Sequence, residues 1–264
     1  MDRLHNKAWM LGLLFLGFAL SGVDARQPGD LPSFSEGAEH FVLEWPADLP
    51  HPARESHTPR PLAAALAARQ IGLVEFRRSR VEGQPQLEME IHFPFEGLRI
   101  LAVESLSPTN PRLVWREISR GSGRTVFAEW AHQSAELRVL SWGSEGGLRE
   151  QYKPRAGAVM PHYLFELART GRATAGTFEV FDPHSGKLEP WTLTTRYERG
   201  LNASGELSRR AEFHRADGTL AGSYRFLKGR LQSFHWQAGG ACGRRISARE
   251  YARLVADWGL TPPE

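Results

Sequence analysis

The sequence has one cysteine, only four lysines (Lys7, Lys153, Lys187 and Lys228) and, beyond its first 20 residues, no long apolar run. A single Cys excludes an intramolecular disulfide framework and any multi-thiolate zinc or iron–sulfur site. The 33 basic groups nearly balance 30 acidic ones. The basic groups are mostly Arg and are not clustered, so they mark no nucleic-acid surface. Three catalytic signatures are also missing: His-Glu-x-x-His, Gly-x-Ser-x-Gly and the Walker loop Gly-x-x-x-x-Gly-Lys-Ser/Thr. What is present is ordinary. A chain of 264 residues that is 41% hydrophobic, 24% charged and 10% aromatic belongs with globular proteins. That composition excludes collagen-like, coiled-coil, disordered and multi-span membrane classes. The sequence therefore bounds a fold class and a compartment more closely than a biochemical activity.

The compartment is read from the N-terminus. Arg3 and Lys7 precede an uncharged apolar stretch, Ala8 to Leu20, and Ser21-Gly22-Val23-Asp24-Ala25 offers small residues for cleavage after Ala25. Thirteen helical residues reach about 20 Å, short of the roughly 30 Å hydrocarbon core. The expectation is a cleaved secretory signal over residues 1–25 and a chain exported to the periplasm or the extracellular space. Later stretches all fall short of 18 apolar residues, so no transmembrane segment is expected after cleavage.

Residues 26–61 hold seven of the 17 prolines. Proline fixes φ and removes a backbone donor, so this segment reads as an extended leader unable to supply a central strand, with Phe41 to Trp45 as an apolar island docking on the domain. Pro61 then opens a short helix, Leu62 to Arg69. From there the pattern is mostly of period two: Leu87, Met89, Ile91 and Phe93 alternate with Glu88, Glu90 and His92, and Trp191 to Glu198 alternates likewise. Asp217-Gly218 and Lys228-Gly229 mark hairpin turns. Weaker strands fit 71–80, 98–105, 112–118, 124–130, 136–142 and 175–181. Two helices interrupt or close this pattern. Pro161 to Thr170 stops at Gly171. Residues 248–258 follow a capping box, Ser247-Ala248-Arg249-Glu250, with Tyr251, Leu254, Val255 and Trp258 on one stripe. The expected fold is α+β, mainly β: a curved antiparallel sheet, a half-barrel-like meander of about ten strands, with a few short helices packed on it. Residues 62–264 form one domain on this reading.

Few residues suggest chemistry. Cys242 lies in Gly239-Gly240-Ala241-Cys242-Gly243-Arg244-Arg245, where two Arg and a helix start would favour a thiolate and His235 would serve as base. The same stretch, with Arg244 and Arg245, suits an anion. The plainer reading of the segment is a Gly-rich connector. The nine histidines beyond residue 25 (40, 51, 57, 92, 132, 162, 184, 214 and 235) form no ligand set, so no metal or other cofactor is expected. Asp182-Pro183-His184-Ser185-Gly186 has a metal-like composition and reads as a turn. Glu88 and Glu90 share a wet strand face, and Asn202-Ala203-Ser204 is a sequon that matters only in a glycosylating host. The tryptophans fill a core or line a concave apolar site, with Trp191 and Trp236 as candidates for the latter.

Asn110-Pro111-Arg112-Leu113-Val114-Trp115-Arg116-Glu117 followed by Gly123-Arg124-Thr125-Val126-Phe127 is similar to a strand pair of the periplasmic lipoprotein-carrier (LolA/LolB-like) half-barrels. An N-terminal helix feeding a long antiparallel meander with a middle helix resembles the same architecture, which uncharacterised periplasmic domains share. The Asp-Gly before the second strand and the Tyr-Asp-Pro after it are missing, and a capped C-terminal helix is added. The resemblance implies a half-barrel with an apolar concavity, and no site residues. The leading expectation is an exported non-enzymatic protein that binds a hydrophobic or amphipathic ligand, such as a lipid, or an envelope partner. Arg244, Arg245, Trp191 and Trp236 are its candidate contacts. The alternatives are an exported hydrolase using Cys242 and His235, and a structural envelope protein with no ligand.

Overall fold

A computed structural model of the chain describes residues 35–46, 64–65, 67–107, 111–131, 136–143, 146–153, 159–199, 206–236 and 240–260. The expected signal segment 1–25 and the Asn202 sequon lie outside these residues, as do residues 62, 63 and 66 of the expected first helix. Fourteen strands form one antiparallel sheet. The first eight are β1 (Gly37–Glu44), β2 (Gln70–Val81), β3 (Gln84–Phe93), β4 (Leu98–Ser105), β5 (Arg112–Ser119), β6 (Ser122–Ala131), β7 (Glu136–Gly143) and β8 (Gly146–Tyr152). Helix α1 (Pro161–Thr170) follows, then β9 (Ala175–Asp182), β10 (Lys187–Arg199), β11 (Leu207–Arg215), β12 (Leu220–Leu227), β13 (Arg230–Trp236), β14 (Ala241–Ile246) and helix α2 (Ala248–Asp257). The spatial order is β8-β7-β6-β5-β4-β3-β2-β1-β14-β13-β12-β11-β10-β9. Two meanders thus run outward from a central pair, β1 and β14.

The expected class holds, with more strands than about ten, and the extra ones are instructive. β1 lies inside the segment read as a Pro-rich leader, yet it is central, pairing β2 and β14 on its two sides. Pro32 and Pro46 fall outside the strand, so every position within it can donate to a ladder. Phe41, Val42 and Leu43 are all fully buried, the continuous apolar run of a strand covered on both faces. β14 is the stretch read as a Gly-rich connector. Gly243 serves close approach there: a Cβ would sit 2.2 Å from ring atoms of Phe234 on the neighbouring strand.

Strand alternation sorts the side chains into two clusters. On the concave face Phe41, Val74, Phe76, Leu87, Met89, Trp115, Val126, Leu193, Phe213, Phe226 and Phe234 pack around α1. On the convex face Val42, Leu73, Ile246 and Ala65 pack against Tyr251 and Leu254 of α2 and Trp258 at its C-terminal end. Ser247 caps α2 by accepting the Glu250 N–H at 3.1 Å.

Helix α1 has Pro161 in its first turn and a left-handed Gly171 (φ 78°) at its end, but Met160 offers no side-chain cap. Glu104 of β4 supplies it instead, accepting from the backbone N–H groups of His162 (2.9 Å) and Tyr163 (2.7 Å) with no exposed surface. Glu166, also without exposed surface, lies between Arg78 Nε (2.9 Å) and Arg169 (2.7 Å), and Arg78 reaches Glu39 at 2.7 Å. Burial works against the Arg78 charge, but Glu166 and Glu39 more than offset it and raise its pKa.

Two substitutions test this frame. Gly243→Ala is expected to cost about 1–3 kcal/mol, because Phe234 is held by Phe41 and Trp236 (ring centroids 5.3 and 4.4 Å) and cannot swing aside. Glu166→Ala leaves two buried guanidinium groups without their shared carboxylate and is expected to cost about 3–5 kcal/mol. Urea denaturation of each variant measures both.

Candidate functional site

An open curved sheet presents a concave side that something must fill. Over the β1–β3 and β11–β14 half, α1 fills it. Phe165 stacks on Phe76 (5.7 Å) and meets Tyr224 (5.2 Å) and Phe226 (5.6 Å). The two candidate tryptophans belong to this aromatic wall. Trp191 approaches Phe213 at 6.4 Å, and Trp236 Nε1 donates to the Tyr224 hydroxyl at 3.0 Å. Burial pushes that hydroxyl's pKa up to about 12. Both tryptophans face inward and contribute to packing around the helix.

The strands β4–β8 leave room at one end. A cleft of about 500 Å³ opens there, lined by Leu98, Glu117, Arg124, Ser141 and Leu148, with Gly143 and Gly146 at its floor. In the ladder Glu117 stands opposite Arg124, Arg124 opposite Gly143 and Ser141 opposite Leu148, so these side chains share the concave face. With Trp142 at its edge, the lining combines three apolar side chains, a carboxylate, a guanidinium and hydroxyls.

Beside the cleft the two ends of the sheet meet. The β9–β10 turn, residues 183–186, reaches across to β5, β6 and β8. Arg124 donates to the His184 carbonyl (2.6 Å), and the Tyr152 hydroxyl donates to the Gly186 carbonyl (2.8 Å). The His184 ring sits 3.0 Å from Glu117 and edge-on to Trp115 at 4.9 Å, and Trp115 Nε1 donates to the same carboxylate. Asp182 accepts the His184 N–H, which makes the stretch an Asx turn, as its composition implied. Barrel-like closure is therefore made by a turn and side chains rather than by a β8–β9 ladder. The β9 edge is partly covered by Val159, which bridges to Val180 in parallel.

The arginines expected to act together are separated. Arg244 and Arg245 are consecutive strand residues and point to opposite faces. Arg244 bonds Glu44 on the convex side at 2.8 Å, and Arg245 turns inward to Glu39 at 3.2 Å and the Leu231 carbonyl. The anion-loop reading fails because the segment is a strand, whose period of two splits neighbours. Cys242 and His235 do come together, directly opposite each other on β14 and β13. The order of groups does not suit acyl transfer, however. Beyond His235 stands Ser223, while Glu44 lies on the thiol's other side and is engaged by Arg244, so among the described residues no carboxylate orients the imidazole. Among the described residues no group of three or more His, Cys, Asp or Glu is placed to hold a metal ion, and no helix is long and apolar enough to cross a membrane.

Sequence reasoning missed Leu98, Glu117, Arg124 and Leu148. Their strands were legible by alternation, but the cleft depends on where the sheet's curvature and the β9–β10 turn leave space, and no local pattern encodes that.

The hydrogen bond between His184 and Glu117 raises the histidine pKa and lowers that of Glu117, with Asp182 and Arg124 acting in opposite senses on His184. The histidine's contribution is complete below its ordinary 6.5 and is lost as pH rises through its raised value. The carboxylate's contribution is present above its ordinary 4.5 and is lost as pH falls through its lowered value. The seam is therefore strongest between about pH 4.5 and 6.5. More than half of the His184 side chain is exposed, so solvent screening limits the effect to roughly 0.5–1 kcal/mol. Thermal melts of His184→Gln against the parent chain should differ most in that window and converge at alkaline pH.

No family model and no curated protein matches this chain. Among solved structures it is similar to a beta-barrel-like protein of domain of unknown function DUF1849 from Brucella abortus. The TM-score is 0.52 at 8% identity, over 80% of this chain and 95% of that one. That likeness is one of fold: a barrel-like, mostly β architecture.

Proposed function

We propose that this chain is an exported, non-enzymatic binding protein that holds an amphipathic molecule at the open end of its half-barrel. The observation that carries this reading is the cleft of about 500 Å³ between β4 and β8, within the size range of small-ligand sites. Leu98 and Leu148 would take the apolar part, each buried CH₂ contributing roughly 0.8 kcal/mol. Arg124 would meet an anionic group, and Ser141 would accept or donate a hydrogen bond. The aromatic wall of Trp191 and Trp236 is not the binding surface on this reading, because both already pack against the core that α1 enters. Export rests on the N-terminal sequence, with Arg3, Lys7, the apolar stretch to Leu20 and the small residues before Arg26. The architecture common to lipoprotein-carrier half-barrels supports reading the concave side as the ligand side, and lipoprotein transport itself forms no part of the proposal.

Thermal shift with fatty acids and lysophospholipids, together with mass spectrometry of natively purified protein, tests it. A ligand present at a hundredfold its Kd should raise Tm by roughly 5–10 °C. Leu148→Asp, at a 58% exposed position that tolerates change, should abolish the shift. Absence of both a co-purified molecule and any shift would leave a structural envelope protein as the surviving reading.

A further inference from the structure

The convex side of the β4–β8 arm has its own chemistry. Burial of Leu113, Trp115, Val126, Ala128, Leu137 and Val139 fixes which residues face inward. Their neighbours therefore face out, and the ladder aligns Val103, Val114, Phe127 and Leu140 in one row across four strands. Around that row Ile118, Leu140 and Trp142 are 41%, 40% and 50% exposed. Among the described residues helix α2 packs on the convex face near β1, β2 and β14, two or more strands away from this row. Large apolar groups gathered on one exposed face mark an interaction surface.

The charges on the same face are mainly of one sign. Arg116, Arg138 and Arg149 are exposed and have no acidic partner among the described residues. Glu129 is already bridged by Arg112 at 2.8 Å, and Glu136 lies at the far end of β7. A shallow recess of about 300 Å³ lies between Phe127, Leu140, Arg138, Arg149 and Glu129, joining an apolar floor to a rim of two arginines and one carboxylate.

We propose that this convex face docks on an anionic lipid bilayer. An exposed Trp and branched aliphatics suit the interfacial zone, where amphipathic rings settle at headgroup depth. Unpaired arginines suit a surface of phosphate groups. The convex shape favours a fluid partner, since a rigid protein would need a matching hollow. Trp142 also lines the cleft at this end of the sheet, whereas Arg116, Arg138 and Arg149 do not, so the arginines separate docking from ligand binding.

Vesicle co-sedimentation tests it, using phosphatidylglycerol–phosphatidylcholine vesicles and pure phosphatidylcholine as control. The parent chain is expected to bind the anionic vesicles and to lose affinity as salt rises, because the Debye length shrinks. The Arg116→Gln, Arg138→Gln, Arg149→Gln triple variant should bind on the order of 100-fold more weakly, at roughly fivefold per arginine. Leu140→Ser, at a 40% exposed position outside the cleft lining, should also weaken binding, with Tm unchanged in both variants. The N-terminal apolar stretch is common to every chain compared, so the differences report the patch. Equal binding by the triple variant overturns the proposal. So does a failure of the parent chain to bind anionic vesicles, or binding confined to a soluble acidic protein.

Discussion

An antiparallel sheet that curls without closing leaves an apolar concave face, and the rest of this molecule answers that one constraint. A helix of ten residues fills the hollow, and it must be brought there with its polar ends. Inside a protein each unpartnered N–H or C=O at a helix end is costly. Glu104 meets the N-terminal end, and at the C-terminal end Arg209 donates to the Arg169 carbonyl while Arg169 donates to that of Gly229. These contacts come from β4, β11 and the β12–β13 turn, so the plug ties together both arms of the sheet.

Buried ions are a weak source of net stability, since desolvation opposes their attraction. The chain Glu39–Arg78–Glu166–Arg169 is better understood as setting position: it admits α1 in one register and penalises any slip that would leave a charge unmatched. The apolar contacts of Phe165 supply the attraction, while the ions fix where it acts. With α1 so placed, the remaining free space falls at the β4–β8 end, where the candidate cleft and the His184 seam sit.

Much of the fold is legible in the sequence, because period-two alternation over β3, β10 and β11 and the capping box of α2 are local signals. β1 was hidden by its flanking prolines, although the run Phe41-Val42-Leu43 carries the mark of a strand buried on both sides. β14 was hidden by its glycines, of which Gly243 makes room for the Phe234 ring. The site was less legible still. Arg244 and Arg245 look like a pair in a loop and are divided by a strand, whereas Glu117 and His184, 67 positions apart, meet only because the sheet curls. Sequence proximity carried no information in either case.

The central ladder joins the first strand to the last: Glu44 and Arg244 are 200 residues apart in the chain and 2.8 Å apart in space. At synthesis rates of about 5–20 residues per second, β1 waits roughly 10–40 s for its second partner to exist. Throughout that interval an apolar strand has one bare edge, and even once α1 has followed β8 the helix meets only one arm of the sheet it fills. Such high contact order slows folding and lengthens exposure to wrong partners. For this architecture, completing the C-terminal strand is the event that turns two incomplete sheets into one protein.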